Sequence, residues 1–129
     1  MNSYGKELIL DLHNCNSEKF NRKDIAQYFK ILCDEKINME RCDLHWWDYE
    51  DEEQEVYDNA PAHLKGTSAV QFIQTSDIVI HTLDDLKRVY VNIFSCKDFD
   101  SVVAREFTEE TFEGKTVNND GKGFTIERI

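Results

Sequence analysis

The sequence predicts an α+β fold: a two-layer α/β sandwich in which a mainly antiparallel sheet carries helices on one face. Three observations lead there. Between Gly66 and Cys96 come three runs rich in Val, Ile, Phe and Thr, the composition of strands. Ahead of them the order reads strand, helix, strand, and after them one more helical stretch closes the chain. At 129 residues, 40% of them apolar, the chain suffices for one modest core, so residues 1–129 are expected to form one domain.

Residues 6–13 alternate as a strand, with Leu8, Leu10 and Leu12 on one face and Glu7 and Asp11 interrupting the other. Asn14 to Asn16 make a polar turn. Asn21 then suits a helix N-cap, with Asp24 near the positive helix end. Ile25, Tyr28, Phe29 and Leu32 follow at the i, i+3, i+4, i+7 spacing of one buried helix face, with Cys33 beside them. Cys42 to Trp47 reads as a second strand. Its adjacent tryptophans, Trp46 and Trp47, should point to opposite faces, one filling the core and one left for an edge, a dimer contact or a flat ligand. From Asp48 to Lys65 the chain holds Asp48, Glu50, Asp51, Glu52, Glu53, Glu55 and Asp58 ahead of its only proline, Pro61. Charges so dense repel and stay solvated, which predicts a surface loop or a mobile flap over a cationic substrate.

The central runs are Gly66–Gln74, Thr75–Thr82 and Val91–Cys96, with a turn at Leu83–Leu86 leading into the last of them. Asp100 can cap a last helix bearing Val103, Ala104 and Phe107 and stopped by Gly114. Asn118–Gly123 is a flexible turn, and Phe124–Ile126 a short closing strand.

Charge narrows the partners. Fifteen Lys and Arg against 26 Asp and Glu give a net −11, which argues against nucleic acid and anionic membrane surfaces and favours a small cationic substrate. Cys15, Cys33, Cys42 and Cys96 show no CxxC pair or zinc-type spacing, so free thiols and no metal site are expected. No apolar run reaches bilayer length and the start lacks a cationic-then-apolar leader, so the expected location is cytoplasmic.

Reactive side chains sit inside the central runs at Ser68, Ser76, His81 and Cys96. Hydroxyl, imidazole and thiol can meet if the strands pair as neighbours, though Ser and Cys are also ordinary strand residues. Their spacing carries more: Ser76 lies eight residues after Ser68, His81 five after Ser76, and Cys96 twenty after Ser76. With Gly66-Thr67-Ser68-Ala69, Ile80-His81-Thr82 and Phe94-Ser95-Cys96 around them, these positions resemble the S-adenosylmethionine decarboxylase family in its short prokaryotic form.

The resemblance implies a specific chemistry. Decarboxylating an α-amino acid needs an electron sink that no ordinary side chain supplies. Members of this family make one from their own backbone, a pyruvoyl group derived from serine. Carried onto this chain, Ser76 Oγ attacks the carbonyl of Thr75 and an ester replaces the amide. Elimination then cuts the chain into residues 1–75 and 76–129. Ser68 and His81 match the positions that support self-cleavage. In turnover the pyruvoyl carbonyl forms a Schiff base with the substrate amine, and Cys96 matches the position that returns a proton. Trp47 is the candidate for lying against the adenine, and Asp85 for binding the ribose or the cationic group. The implied product is decarboxylated S-adenosylmethionine for spermidine and polyamine synthesis, made by a homodimer of cleaved protomers.

This chain also departs from the family pattern. Thr75 stands where the family usually has Glu, Asp77 where it has His, and Leu83-Asp84-Asp85 where it has Trp-Pro-Glu. A pyruvoyl-dependent arginine or ornithine decarboxylase, or a non-cleaving regulatory or binding homologue, therefore remain alternative readings.

Overall fold

The computed structural model describes residues 3–129. In chain order the elements are β1 (Gly5–His13), α1 (Arg22–Ile31), β2 (Arg41–Trp47), α2 (Gln54–Asp58), β3 (Gly66–Ile73), β4 (Ser76–Leu83), β5 (Arg88–Ser95), α3 (Ser101–Phe112), β6 (Lys115–Thr116) and β7 (Phe124–Arg128). The strands form one sheet in the order β2-β3-β4-β5-β1-β6, with β7 also paired to β1, and every pairing is antiparallel. The α+β sandwich expected from the sequence is the fold observed.

Period-two alternation decides which face is covered. Leu8, Leu10, Leu12, Ile78, Ile80, Val89, Val91 and Ile93 are fully buried, in one cluster with Ile25, Phe29 and Leu32 and with Ala104 and Phe112 of α3. Their strand neighbours Ile9, Val70, Val79 and Phe94 are only half-buried, and Phe72, Phe124 and Ile126 are exposed. One sheet face is thus sealed by helices, and the other presents apolar side chains to solvent.

The local signals behave as their chemistry requires. Asn21 accepts the Asp24 amide at 2.8 Å and caps α1. Past Ile31 the helix widens into a π turn, Leu32–Lys36, which keeps both Leu32 and Cys33 buried. Trp46 packs against the core beneath the Arg22 guanidinium, while Trp47 lies on the open face, 62% exposed. A register shift in β2 between Arg41 and Leu44 is stabilised by buried Gln71, whose amide donates to the carbonyls of Cys42 (3.0 Å) and Phe72 (2.9 Å).

Two expectations need correction. The acidic stretch is not all loop: Gln54–Asp58 forms a short helix, α2, whose Tyr57 hydroxyl reaches Asp84 at 2.5 Å. A tether to the body of the fold outweighs the repulsion among its carboxylates. In α3 the residue that ends the helix in the left-handed conformation is Glu113, not Gly114. Gly114 is needed for another reason, since a Cβ there would lie 2.3 Å from Cys15 Sγ.

Candidate active site

The Thr75–Ser76 bond lies where the tight β3–β4 turn meets β4. The turn is held from both sides: the Gln74 amide donates to the Glu40 carbonyl at 2.9 Å, and the Cys96 amide donates to the Thr75 carbonyl at 3.2 Å. The Thr75 carbonyl, which the family resemblance marks for attack, therefore already accepts a main-chain donor, as an oxyanion formed there would require. Thr75 Oγ1 shares a hydrogen bond with buried Ser95 Oγ at 2.8 Å. Ser76 Oγ lies 3.4 Å from Asp77 Oδ2, and Ser76 pairs with Ile73 on one side and Ser95 on the other. Asp77, where the resembled family has His, is thus the carboxylate nearest that hydroxyl.

Cys96 closes this end of the sheet. It shares a cavity of about 310 Å3 with Tyr4, Lys6, Asp98 and Glu127. Hydrogen bonding to Cys96 holds the Tyr4 phenol above its ordinary range. The other thiols are set apart by position. Burial pushes Cys15 up to about 11 and Cys33 to about 12, keeping both protonated and unreactive, and exposed Cys42 sits on edge strand β2, with β3 between it and β4.

Ser68 and His81 form a second cluster. They are register partners in β3 and β4, with Ser68 Oγ 2.7 Å from His81 Nδ1. Trp47 pairs with Ser68 from β2, so Trp47, Ser68 and His81 stand side by side on the open face. His81 is five residue steps along β4 from Ser76, about 17 Å at the ordinary strand rise. Within one chain, then, Thr75, Ser76 and Cys96 are brought together, and Trp47, Ser68 and His81 are brought together, but the two groups are not.

Of the two adjacent aspartates that follow β4, the sequence assigned Asp85 to the substrate. Asp85 is exposed and paired with Lys65 at 3.2 Å. Its neighbour Asp84 instead lines a cavity of about 390 Å3 with Asp48, Glu50, Tyr49 and Tyr57. Burial holds the Asp84 carboxyl above the usual range, and its Oδ1 has no partner. Tyr49 carries the aromatic surface on, with its ring 5.6 Å from both Trp47 and Tyr57. Sequence reasoning missed Ser95 and Asp84. Ser95 left a trace, a polar residue in the buried phase of β5; which of two adjacent aspartates turns inward depends on the turn itself. Among the described residues no three His, Cys, Asp or Glu side chains gather as metal ligands would, and no helix is long and apolar enough to cross a membrane.

Comparison with known proteins agrees with this fold. The structure is similar to the crystal structure of the adenosylmethionine decarboxylase from Aquifex aeolicus VF5, with a TM-score of 0.75 over 99% of this chain and 92% of that one, at 18% sequence identity. No curated protein sequence matches the chain. The family model for S-adenosylmethionine decarboxylase matches residues 6–120. By that match, which spans nearly the whole sheet and both principal helices, the chain belongs to the S-adenosylmethionine decarboxylase family.

Proposed function

We propose that this chain is a proenzyme that cuts itself between Thr75 and Ser76 and then decarboxylates S-adenosylmethionine, supplying the aminopropyl donor for spermidine synthesis. The observation that carries the reading is the 3.2 Å hydrogen bond from the Cys96 amide to the Thr75 carbonyl. It polarises the carbonyl of one particular peptide bond beside a serine hydroxyl, in a chain whose family is that of a decarboxylase.

Asp77 is the group poised to accept the Ser76 hydroxyl proton as Oγ attacks. The negative charge that develops on the Thr75 oxygen is met by the Cys96 N–H. After the cut the new ends stay in the sheet, because β4 is paired along its length to both β3 and β5. Residues around Ser76 fit a pyruvoyl group: the backbone there is anchored by the Cys96 amide on the Thr75 carbonyl, and the position is half-buried. Once formed, that group supplies an electron sink for the substrate α-carbon. Cys96 is the proton donor on this reading, since a thiol releases a proton near neutral pH more readily than any hydroxyl. Trp47, beside Ser68 and His81 on the open face, offers a flat apolar surface for a purine.

The distance between the two clusters favours a homodimer. The open face carries Trp47, Phe72, Phe124 and Ile126 as exposed apolar residues, an unusual surface for a monomer. Two such faces stacked about an axis crossing the strands near Val79 would bring the Ser68–His81 end of one chain over the Ser76–Cys96 end of its partner.

Denaturing mass spectrometry of purified protein tests the reading. Two fragments, residues 1–75 and 76–129, are expected, staying together under native conditions, with a carbonyl at the new end that hydroxylamine modifies. Carbon dioxide released from labelled S-adenosylmethionine, and not from arginine or ornithine, fixes the substrate. An intact mass after prolonged incubation would leave a non-cleaving homologue.

A further inference from the structure

Ser95 stands where the alternation of β5 calls for an apolar side chain. Val89, Val91 and Ile93 precede it in the same phase, all fully buried, and Ser95 is fully buried with them. A hydroxyl at such a position must find partners or destabilise the core. Its Oγ accepts the Lys97 amide at 3.0 Å and shares the 2.8 Å bond with Thr75 Oγ1. The Met39 sulfur lies 3.5 Å from Thr75 Oγ1 and 3.7 Å from Ser95 Oγ. Whichever hydroxyl donates to the other, the remaining hydrogen therefore has an acceptor. Thr75 is held at two points by consecutive residues of one strand end: its side chain by Ser95 and its carbonyl by the Cys96 amide.

Thr75 carries the acyl carbon that Ser76 must reach. We infer that Ser95 is a positioning residue for self-cleavage: by fixing the Thr75 hydroxyl it fixes the Thr75 carbonyl carbon in front of Ser76 Oγ. The inference rests on the self-cleavage proposed above and adds a residue to it. In the acyl shift the bond from Ser76 Oγ to the Thr75 carbonyl carbon forms and the Thr75–Ser76 amide bond breaks. The hydroxyl proton ends on the Ser76 nitrogen, so no outside reactant is needed. Ser95 forms no covalent bond. Its contribution is orientation, which is costly to lose when an attacking atom must meet a carbonyl within a narrow range of angles. The same contact gives Thr75, one of the departures from the family pattern, a defined task.

Four variants and a double variant test this by following the disappearance of full-length chain with time. Ser95→Ala and Thr75→Val each remove one hydroxyl, and each should slow cleavage at least about tenfold, the loss expected from loosened alignment. Together they should slow it no more than the slower of the two, since both delete one contact. Ser95→Thr and Thr75→Ser keep the hydroxyl and should restore cleavage, which a merely space-filling role at either position would not predict. Thermal midpoints of the uncut chains, measured in a Ser76→Ala background, report any loss of folding separately. If the unaltered chain cleaves and Ser95→Ala cleaves as fast, or if the two deletions slow it additively, the assignment of Ser95 is wrong and self-cleavage stands. If the unaltered chain never cleaves, both fall.

Discussion

The main-chain nitrogen of Cys96 donates to the carbonyl oxygen of Thr75 at 3.2 Å, so its side chain is not needed for that contact. Amide and thiol can therefore be separated by substitution. Cys96→Ala keeps the amide and should cleave at close to the unaltered rate, while its decarboxylation falls by about 10²–10⁴-fold, the range for losing a positioned acid. Cys96→Pro removes the N–H just beyond the end of β5 and should slow cleavage by about 10²–10³-fold, as for loss of one oxyanion donor. Mass spectrometry reads the first effect and carbon dioxide release the second. An alanine variant that stays whole would instead give the thiol a part in cleavage.

Period and spacing made much of this molecule legible. Leu8, Leu10 and Leu12 marked the covered face of β1, and Ile25, Tyr28, Phe29 and Leu32 the buried stripe running through α1 into the π turn, because burial of one face is what those periods encode. Trp46 and Trp47 separated to opposite faces for the same reason. The site was legible as residue types and not as an arrangement. His81 and Ser76 are close in sequence, yet a strand spends five residues carrying them apart, and only strand pairing reveals that Ser68 meets His81 while Cys96 meets Thr75. What depends on one turn was not legible at all. Asp84 rather than Asp85 enters a cavity because of how the chain leaves β4, and α2 forms because Tyr57 finds Asp84, a contact that local charge density argues against.

Asp84 should make stability depend on pH. Burial, with the nearby Asp85 charge adding to it, holds its carboxyl above the ordinary range despite the hydrogen bond from Tyr57. A raised folded-state value means the contribution is full below the ordinary carboxylate range and is lost as pH climbs through the raised value. Asp84→Asn keeps an acceptor for Tyr57 and removes the charge. Its thermal midpoint should exceed the unaltered protein's at pH 7, and the advantage should shrink toward pH 4. A lower midpoint at pH 7 would mean that the carboxylate is held there by an attraction stronger than its burial cost.

Arg22 acts in the opposite direction. Its guanidinium donates to both oxygens of Asp48 at 2.7 and 2.9 Å, reaches Glu50, and lies over the Trp46 ring. These hydrogen bonds hold the Asp48 carboxyl below the usual range. Arg22→Ala would strand a carboxylate whose side chain is only 9% exposed and should cost about 1–3 kcal/mol at pH 7. A lowered value contributes above the ordinary carboxylate range, near 3.9, and is lost as pH falls through the depressed one. The gap between variant and unaltered protein in urea unfolding should therefore narrow below about pH 4. A gap that persists there would assign the loss to packing on Trp46.

A mixture of two inactive chains tests the shared site most directly. Ser76→Ala lacks the nucleophile but keeps the Ser68–His81 pair, and His81→Ala keeps Ser76 but lacks the imidazole. Alone, neither should cleave. In a mixed dimer, the about 17 Å between the clusters implies one site with Ser76 and Cys96 from the His81→Ala chain and Ser68 and His81 from the other. That site is complete, so His81→Ala chains should be cut at position 75 while Ser76→Ala chains stay whole. Differently tagged chains resolved by mass spectrometry make the distinction. If cleavage is complemented, the catalytic set spans two copies and the apolar open face is the surface that joins them. If both chains stay intact although mixed dimers form, each site must close within its own chain, and His81 would have to reach Ser76 by a rearrangement of β4 that its pairing on both edges opposes.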